Sequence, residues 1–397
     1  MKILNFIRLE KITLLTCSIL LIVIINSNCQ KAKKPMIEKV KIERLNELIS
    51  ALAGKVNFIT LVRNNSVLLV SQEMGGRIIG VSVDGIQGEN LFWVNNEITS
   101  DSFFVADVPF INPGGHRSWI APEDAFYFDN ENKWICPIQM DPGLYTILSQ
   151  TDKSVSLSNR FIIRDKMRNE YNLELKRDIT ILDNPPISDL ELLQGIKIVG
   201  YNLVHSLKNI SAKAVGKDVP LVGLWSLMQI SPPGTILVPI NPPPKGKNPY
   251  QGYFEPILPE RVDLSNNLLS VKIDGKRREK IGIPSECAKG LIAYFWTKEE
   301  NQGVLYVKKF PVEDKGIYVD GPWGVKRENG DVIQMYNDDG KMGGFAEIEC
   351  HGPAKVMKPN EEESHSLDVY IFVGPQDKLK IIGSKMLGID LNNVKYF

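Results

Sequence analysis

The chain of 397 residues carries 47 basic and 47 acidic side chains, so its formal charge is zero. That balance argues against nucleic acid, which demands a basic stripe of its partner. The apolar fraction of 43% is that of a globular protein with a real core, and the length suits one large all-β domain or two ordinary ones.

The N-terminal stretch does not read as part of the fold. Lys2, Arg8 and Lys11 give a positive start, and residues 12–25 form an apolar run. A spanning helix needs roughly 20 such residues, so the run is short for one. It leads into Asn26-Ser-Asn-Cys29, and an apolar run closed by small polar residues and a Cys resembles a bacterial lipoprotein leader. Cys29 is then the lipidated residue, although Asn26 and Asn28 stand where a strict motif has an aliphatic and a small residue. The expectation is a leader over residues 1–29 and a lipid-anchored protein of the bacterial cell envelope. Cleaved secretion and an uncleaved anchor are the alternatives. Beyond the leader only Cys136, Cys287 and Cys350 remain, an odd trio without zinc spacing that allows one bridge at most.

Residues 30–56 read as a Lys-rich tether followed by a short helix, since Ile42, Leu45, Leu48, Ile49 and Leu52 favour one helical face. From residue 58 the texture becomes strand-like. Runs at 58–62, 67–70, 78–83, 155–158, 171–176, 179–182 and 196–207 are separated by turn residues. Runs at 291–296 and 303–308 predict a hairpin across Lys298-Glu-Glu-Asn-Gln302. Many short strands and few helical runs predict an all-β, mainly antiparallel sandwich or barrel over residues 57–375. The Pro-rich stretch 239–249 reads as a surface loop. The tail, residues 376–397, reads as a closing helix.

Three segments concentrate side chains that a core does not need. Glu73-Met-Gly-Gly-Arg77 suits a tight bend from which Arg77 reaches into a cleft. Ile111-Asn-Pro-Gly-Gly-His-Arg-Ser-Trp-Ile-Ala-Pro-Glu123 brings together a titratable ring (His116), a hydrogen-bonding fork (Arg117), an aromatic face (Trp119) and a carboxylate (Glu123). Sugars are recognised by that mixture of planar polar groups and an aromatic ring. In Glu347-Ile-Glu349, residues two apart on a strand face one side. The like charges would raise one pKa, as suits a general acid or base, and His351 continues that face. His205 lies in a mostly apolar strand and reads as a core or surface histidine; His365, among Glu361, Glu362 and Glu363, reads as exposed. No P-loop, dinucleotide fingerprint, His-Glu-x-x-His or Gly-x-Ser-x-Gly is present, and nothing points to a metal or other cofactor.

These segments resemble the galactose mutarotase-like superfamily, the aldose epimerase β-supersandwich, and within it a bacterial domain family of unassigned activity. The residues carrying the resemblance are Met74-Gly-Gly-Arg-Ile78 with Asn90-Leu-Phe-Trp93, and Gly114-Gly-His-Arg-Ser-Trp-Ile-Ala-Pro-Glu123. Asn209-Ile-Ser211 leading to Leu224-Trp-Ser226, Lys280-Ile-Gly-Ile-Pro284, and Glu347-Ile-Glu-Cys-His-Gly-Pro353 before Lys358-Pro complete it. The resemblance implies a β-supersandwich with minor helices. It puts Arg117 at the place of a sugar-binding arginine and Glu349 at that of the base, with Glu347 as the near competitor. The place of the acid histidine falls on Leu227, so ring opening would need His116 or His205 instead.

The sequence thus predicts an envelope-anchored carbohydrate-binding protein, its partners a sugar or other small polyhydroxy ligand and the membrane. Arg77, Arg117, Trp119 and Glu123 would hold the ligand. The alternatives are an active aldose mutarotase with Glu349 as general base, Glu347 and His116 assisting, and a non-catalytic surface lipoprotein.

Overall fold

The structure, a computed structural model, describes residues 41–105, 108–183, 185–298, 301–324 and 330–397. The expected leader, Cys29 and the start of the tether lie outside the described residues.

Two large antiparallel sheets form the body, as an all-β sandwich was expected to do. One has nine strands in the order Ile59–Arg63, Ser66–Ser71, Arg77–Ser82, His116–Ala121, Gly223–Ile230, Ala346–His351, Asp331–Asn337, Glu279–Pro284 and Gln251–Gly252. The other has ten: Val262–Ser265, Leu268–Ile273, Gly234–Pro239, Leu291–Thr297, Gln302–Lys309, Glu362–Pro375, Lys197–Asn209, Glu170–Ile181, Ser154–Arg164 and Thr146–Gln150. The expected 291–308 hairpin is there, pairing Leu291 with Lys309 through to Thr297 with Gly303. Asn266 and Asn267, at φ 53 and 58, close a two-residue hairpin whose twist matches its strands.

Strand side chains alternate between faces, and in each sheet one set turns toward the other sheet. Leu68, Ile78, Met228, Ile333 and Ile348 meet Leu203, Ile236, Ile292, Val304 and Ile371 in the main core. The outer faces are covered in part. The helix Leu45–Ala51 packs Leu45 and Leu48, with Leu52 just beyond it, on Val67, Leu69 and Ile79. The short helix expected after the tether is thus packed on the nine-stranded sheet. The closing helix Gln376–Leu387 lays Leu379, Ile382 and Leu387 on Leu305, Val307 and Phe372. It ends at Gly388, at φ 69. No described helix is long and apolar enough to cross a membrane.

Cys136, Cys287 and Cys350 are buried and free. All four histidines are buried. His365 was expected in solvent among its glutamates. Instead Glu362–Pro375 alternates, so Glu362 and Ser364 face out while Glu363 and His365 turn in. His365 sits opposite His205, the rings 5.5 Å apart.

Burial lowers the pKa of all four histidines, that of His365 from the ordinary 6.5 to about 4. Between those two values the unfolded chain binds the proton and the folded chain does not, so the contribution is complete above pH 6.5 and lost as pH falls toward 4. For His365 alone that is worth roughly 3 kcal/mol. Urea unfolding at pH 7 and pH 4 should therefore show a smaller acid loss of stability in His365→Leu than in the parent. An equal loss in both would remove His365 from the balance.

Candidate functional site

The same alternation builds a second surface on the outer side of the nine-stranded sheet. In His116–Ala121, Arg117 and Trp119 emerge outward while His116 and Ser118 turn to the core. Register then brings distant segments side by side. One row runs Arg117, Leu227, Glu349, Gln334; its neighbours run Trp119, Trp225, His351 and Gln229, Glu347, Tyr336, Lys280. Loops close over these rows to leave a pocket of about 370 Å³.

Tryptophans make much of its wall. Trp119, Trp134, Trp225 and Trp323 line it, and each uses its indole N–H on a carboxylate. Trp119 donates to Asp141 at 2.8 Å, Trp225 to Glu349 at 2.9 Å, and Trp134 and Trp323 both to Glu123 at 3.0 Å. A buried indole needs such an acceptor, and a buried carboxylate needs such donors.

The charged floor is paired. Arg117 Nη1 lies 2.8 Å from Glu347 Oε1, and the guanidinium stands 4.2 Å over the Trp119 ring. Lys280 Nζ lies 3.4 Å from Glu349 and 3.7 Å from Glu123, and 4.6 Å over the Trp225 ring. Burial opposes the Lys280 charge, but Glu349, Glu123 and Asp320 outweigh it and raise its pKa. Burial pushes the Glu349 carboxyl up to about 7, with Lys280 opposing only in part. Asp320, also pushed to about 7 by burial, accepts from the Glu123 backbone N–H at 2.6 Å and Gln334 Nε2 at 2.7 Å. Among the described residues no group of three or more His, Cys, Asp and Glu side chains could hold a metal ion.

Of the residues expected at the site, Arg117, Trp119, Glu123 and Glu347 line the pocket. Glu349 points the same way but is fully buried, under its bonds to Trp225 and Lys280. Arg77 does not reach the pocket. It has no exposed surface and donates to Asp141 at 2.5 and 2.7 Å, to the Gly114 carbonyl at 2.8 Å and to the Met74 carbonyl. His116 is excluded by the pleat: its ring lies between the sheets, hydrogen-bonded to the Tyr201 hydroxyl and Ser226 Oγ, each at 2.7 Å. His205, the other substitute, faces the same interior. None of the four histidines lines the pocket; Leu227 does. Gly114 and Gly115 serve close backbone approach, but to the chain itself: at φ 109 and 77, a Cβ on either would strike the Trp93 or Ile78 carbonyl.

Sequence reasoning missed Trp134, Trp323, Arg278, Asp141 and Asp320, and it quoted Trp225 and Lys280 for the resemblance without giving them a place in the site. Lys280 and Arg278 were within reach, since an Arg-x-Lys spacing before an apolar strand puts both on one face. Asp141, in the short helical turn Gln139–Gly143, and Asp320, in a loop, carried no signal.

The chain belongs to the family described as a family of unknown function (DUF6786), whose profile matches residues 44–397. No curated protein matches the sequence. Among solved structures, an aldose 1-epimerase candidate from Escherichia coli K12 is similar, at 11% identity over 80% of this chain and 99% of that one, with a TM-score of 0.48. A galactose mutarotase-like protein from Lactobacillus casei is 10% identical over 79% of this chain and 100% of that one, with a TM-score of 0.43. A galactose mutarotase related enzyme from Lactobacillus acidophilus is 10% identical over 79% and 96%, with a TM-score of 0.41.

The Glu349 carboxyl, raised from 4.5 to about 7, binds its proton more tightly folded than unfolded, so stability falls as pH rises through that window. Glu349→Gln lacks the titration. Its stability relative to the parent should climb by roughly 1–3 kcal/mol between pH 4.5 and 7. Parallel pH profiles would mean that Glu349 titrates normally.

Proposed function

We propose that this protein binds a sugar, or a similar polyhydroxy ring, in the pocket on the nine-stranded sheet, and is held to a bacterial envelope membrane through a lipid on Cys29. The observation that carries the reading is the set of tryptophans engaged by their edges. With each N–H on a carboxylate, the ring faces form apolar walls, while the Arg117–Glu347 pair and the Glu123 carboxylate offer fixed partners to hydroxyls. A cavity of about 370 Å³ lies in the range of roughly 300–1,000 Å³ common for small-molecule sites. The resemblance of the sequence to mutarotases points the same way.

Binding is favoured over turnover by what stands between Arg117 and Glu349. Ring opening needs an acid and a base together, each contributing about 10²–10⁴-fold, and that row presents Leu227. A second reading, an aldose mutarotase, has one observation in its favour. Burial pushes the Glu349 and Asp320 carboxyls up to about 7, within reach of proton exchange at neutral pH, and Glu347, the competing candidate for the base, lines the pocket.

Two experiments test these readings. NMR of the detergent-solubilised chain with a panel of aldoses should show sugar contacts without accelerated anomer exchange. Trp323→Ala should weaken binding by about 1–3 kcal/mol, by analogy with aromatic stacking on bases, with little change in melting temperature because Trp323 is only half-buried. Exchange that Glu347→Gln abolishes would establish the enzyme instead, and no contact with any sugar would refute the pocket. For the anchor, a labelled fatty acid should be incorporated into the parent and not into Cys29→Ala. Equal labelling would place any lipid elsewhere.

A further inference from the structure

We infer that the pocket takes an acidic sugar, one carrying a carboxylate or a phosphate, with Arg278 at the rim as the group that selects it. This rests on the sugar-pocket reading and adds the class of ligand.

The cations around the pocket differ in what they face. Arg117 is held by Glu347 and Lys280 by Glu349 and Glu123. Lys341, near the rim, is held by Asp339 at 2.5 Å. Arg277, the residue before Arg278, is turned off the pocket by the pleat and bonds Glu279 at 2.8 Å and Glu255 at 2.6 Å. Arg278 and Lys280 take the other side and line the pocket. Among the described residues Arg278 makes no ion pair. It hydrogen-bonds the Tyr336 hydroxyl, which in turn donates to Asp338 Oδ1 at 3.2 Å.

Arg278 is nevertheless held in place. Its guanidinium lies 3.9 Å over the Phe254 ring, itself a wall of the pocket, and the side chain is exposed. A guanidinium stacked on an aromatic face keeps its in-plane N–H groups available, in the fork that matches carboxylate and phosphate oxygens. The rest of the pocket fixes the ligand's direction. Glu123 and Glu347 lie deep and buried, and would repel an anion placed on the floor. Neutral hydroxyls therefore go down to Arg117 and Glu347, and the acidic substituent goes out to Arg278.

The test is calorimetric, on the full chain in detergent at about 0.15 M salt. The probes are glucose and galactose, their uronates, their 6-phosphates and inorganic phosphate, with the parent, Arg278→Gln and Arg278→Lys. An acidic sugar should bind roughly ten- to a hundredfold tighter than its neutral parent, as a charge-assisted fork implies. That ratio should fall toward one in Arg278→Gln and be partly kept in Arg278→Lys. Preference for the uronate or for the phosphate identifies the source of the anion, and either supports the inference. Equal affinity for acidic and neutral sugars, or a preference that survives Arg278→Gln, overturns it and leaves the pocket reading standing. Inorganic phosphate binding as tightly as the sugar phosphate overturns the sugar part of it. No binding of any sugar overturns the pocket reading, and this inference with it.

Discussion

Successive side chains of a strand must leave opposite faces of the sheet, and the organisation of this protein rests on that constraint. In His116–Ala121 it sends Arg117 and Trp119 to the pocket and His116 and Ser118 to the core. In Ala346–His351 it sends Glu347, Glu349 and His351 one way and Ile348 and Cys350 the other. A register shift of one residue in either strand would bury the pocket charges among apolar side chains and expose the core, so the pocket and the packing are specified together.

Many of the charges at the pocket are buried, which is tolerable only with partners. The tryptophans supply them cheaply in space: one ring is an apolar wall and a hydrogen-bond donor at once. Asp141 shows the limiting case, taking two bonds from Arg77 and one from Trp119 while Arg117 Nε stands 3.9 Å off. It ties the Arg77 turn, the Gly114 backbone and the pocket wall to one carboxylate. Arg77 is therefore a structural anchor, however much its Gly-Gly-Arg setting suggests a ligand. Burial pushes the carboxyls of Glu349 and Asp320 up to about 7.

Much of the fold was legible because its signal is local. Alternating apolar runs, the turn across residues 298–302 and the helical tail each follow from neighbours in the chain. The candidate site was legible where it lies on strands. Arg117, Trp119, Glu123 and Glu347 line the pocket because two short segments each put several polar groups on or beside one face. His365 shows the limit: its glutamate-rich surroundings read as solvated, yet strand period two turns it inward opposite His205.

By itself, the sequence determined the all-β texture, the shared face of Glu347 and Glu349 and the Gly-Gly-His-Arg turn, because periodicity and turn chemistry are set within a few residues. Only the tertiary structure decided which face meets the second sheet, that Leu227 stands between Arg117 and Glu349, and that Asp141, Asp320 and Trp323 complete the site. Those outcomes depend on cross-strand register and closure between segments distant in the chain, such as Trp225 and Glu349 at a separation of 124. No local pattern encodes that distance.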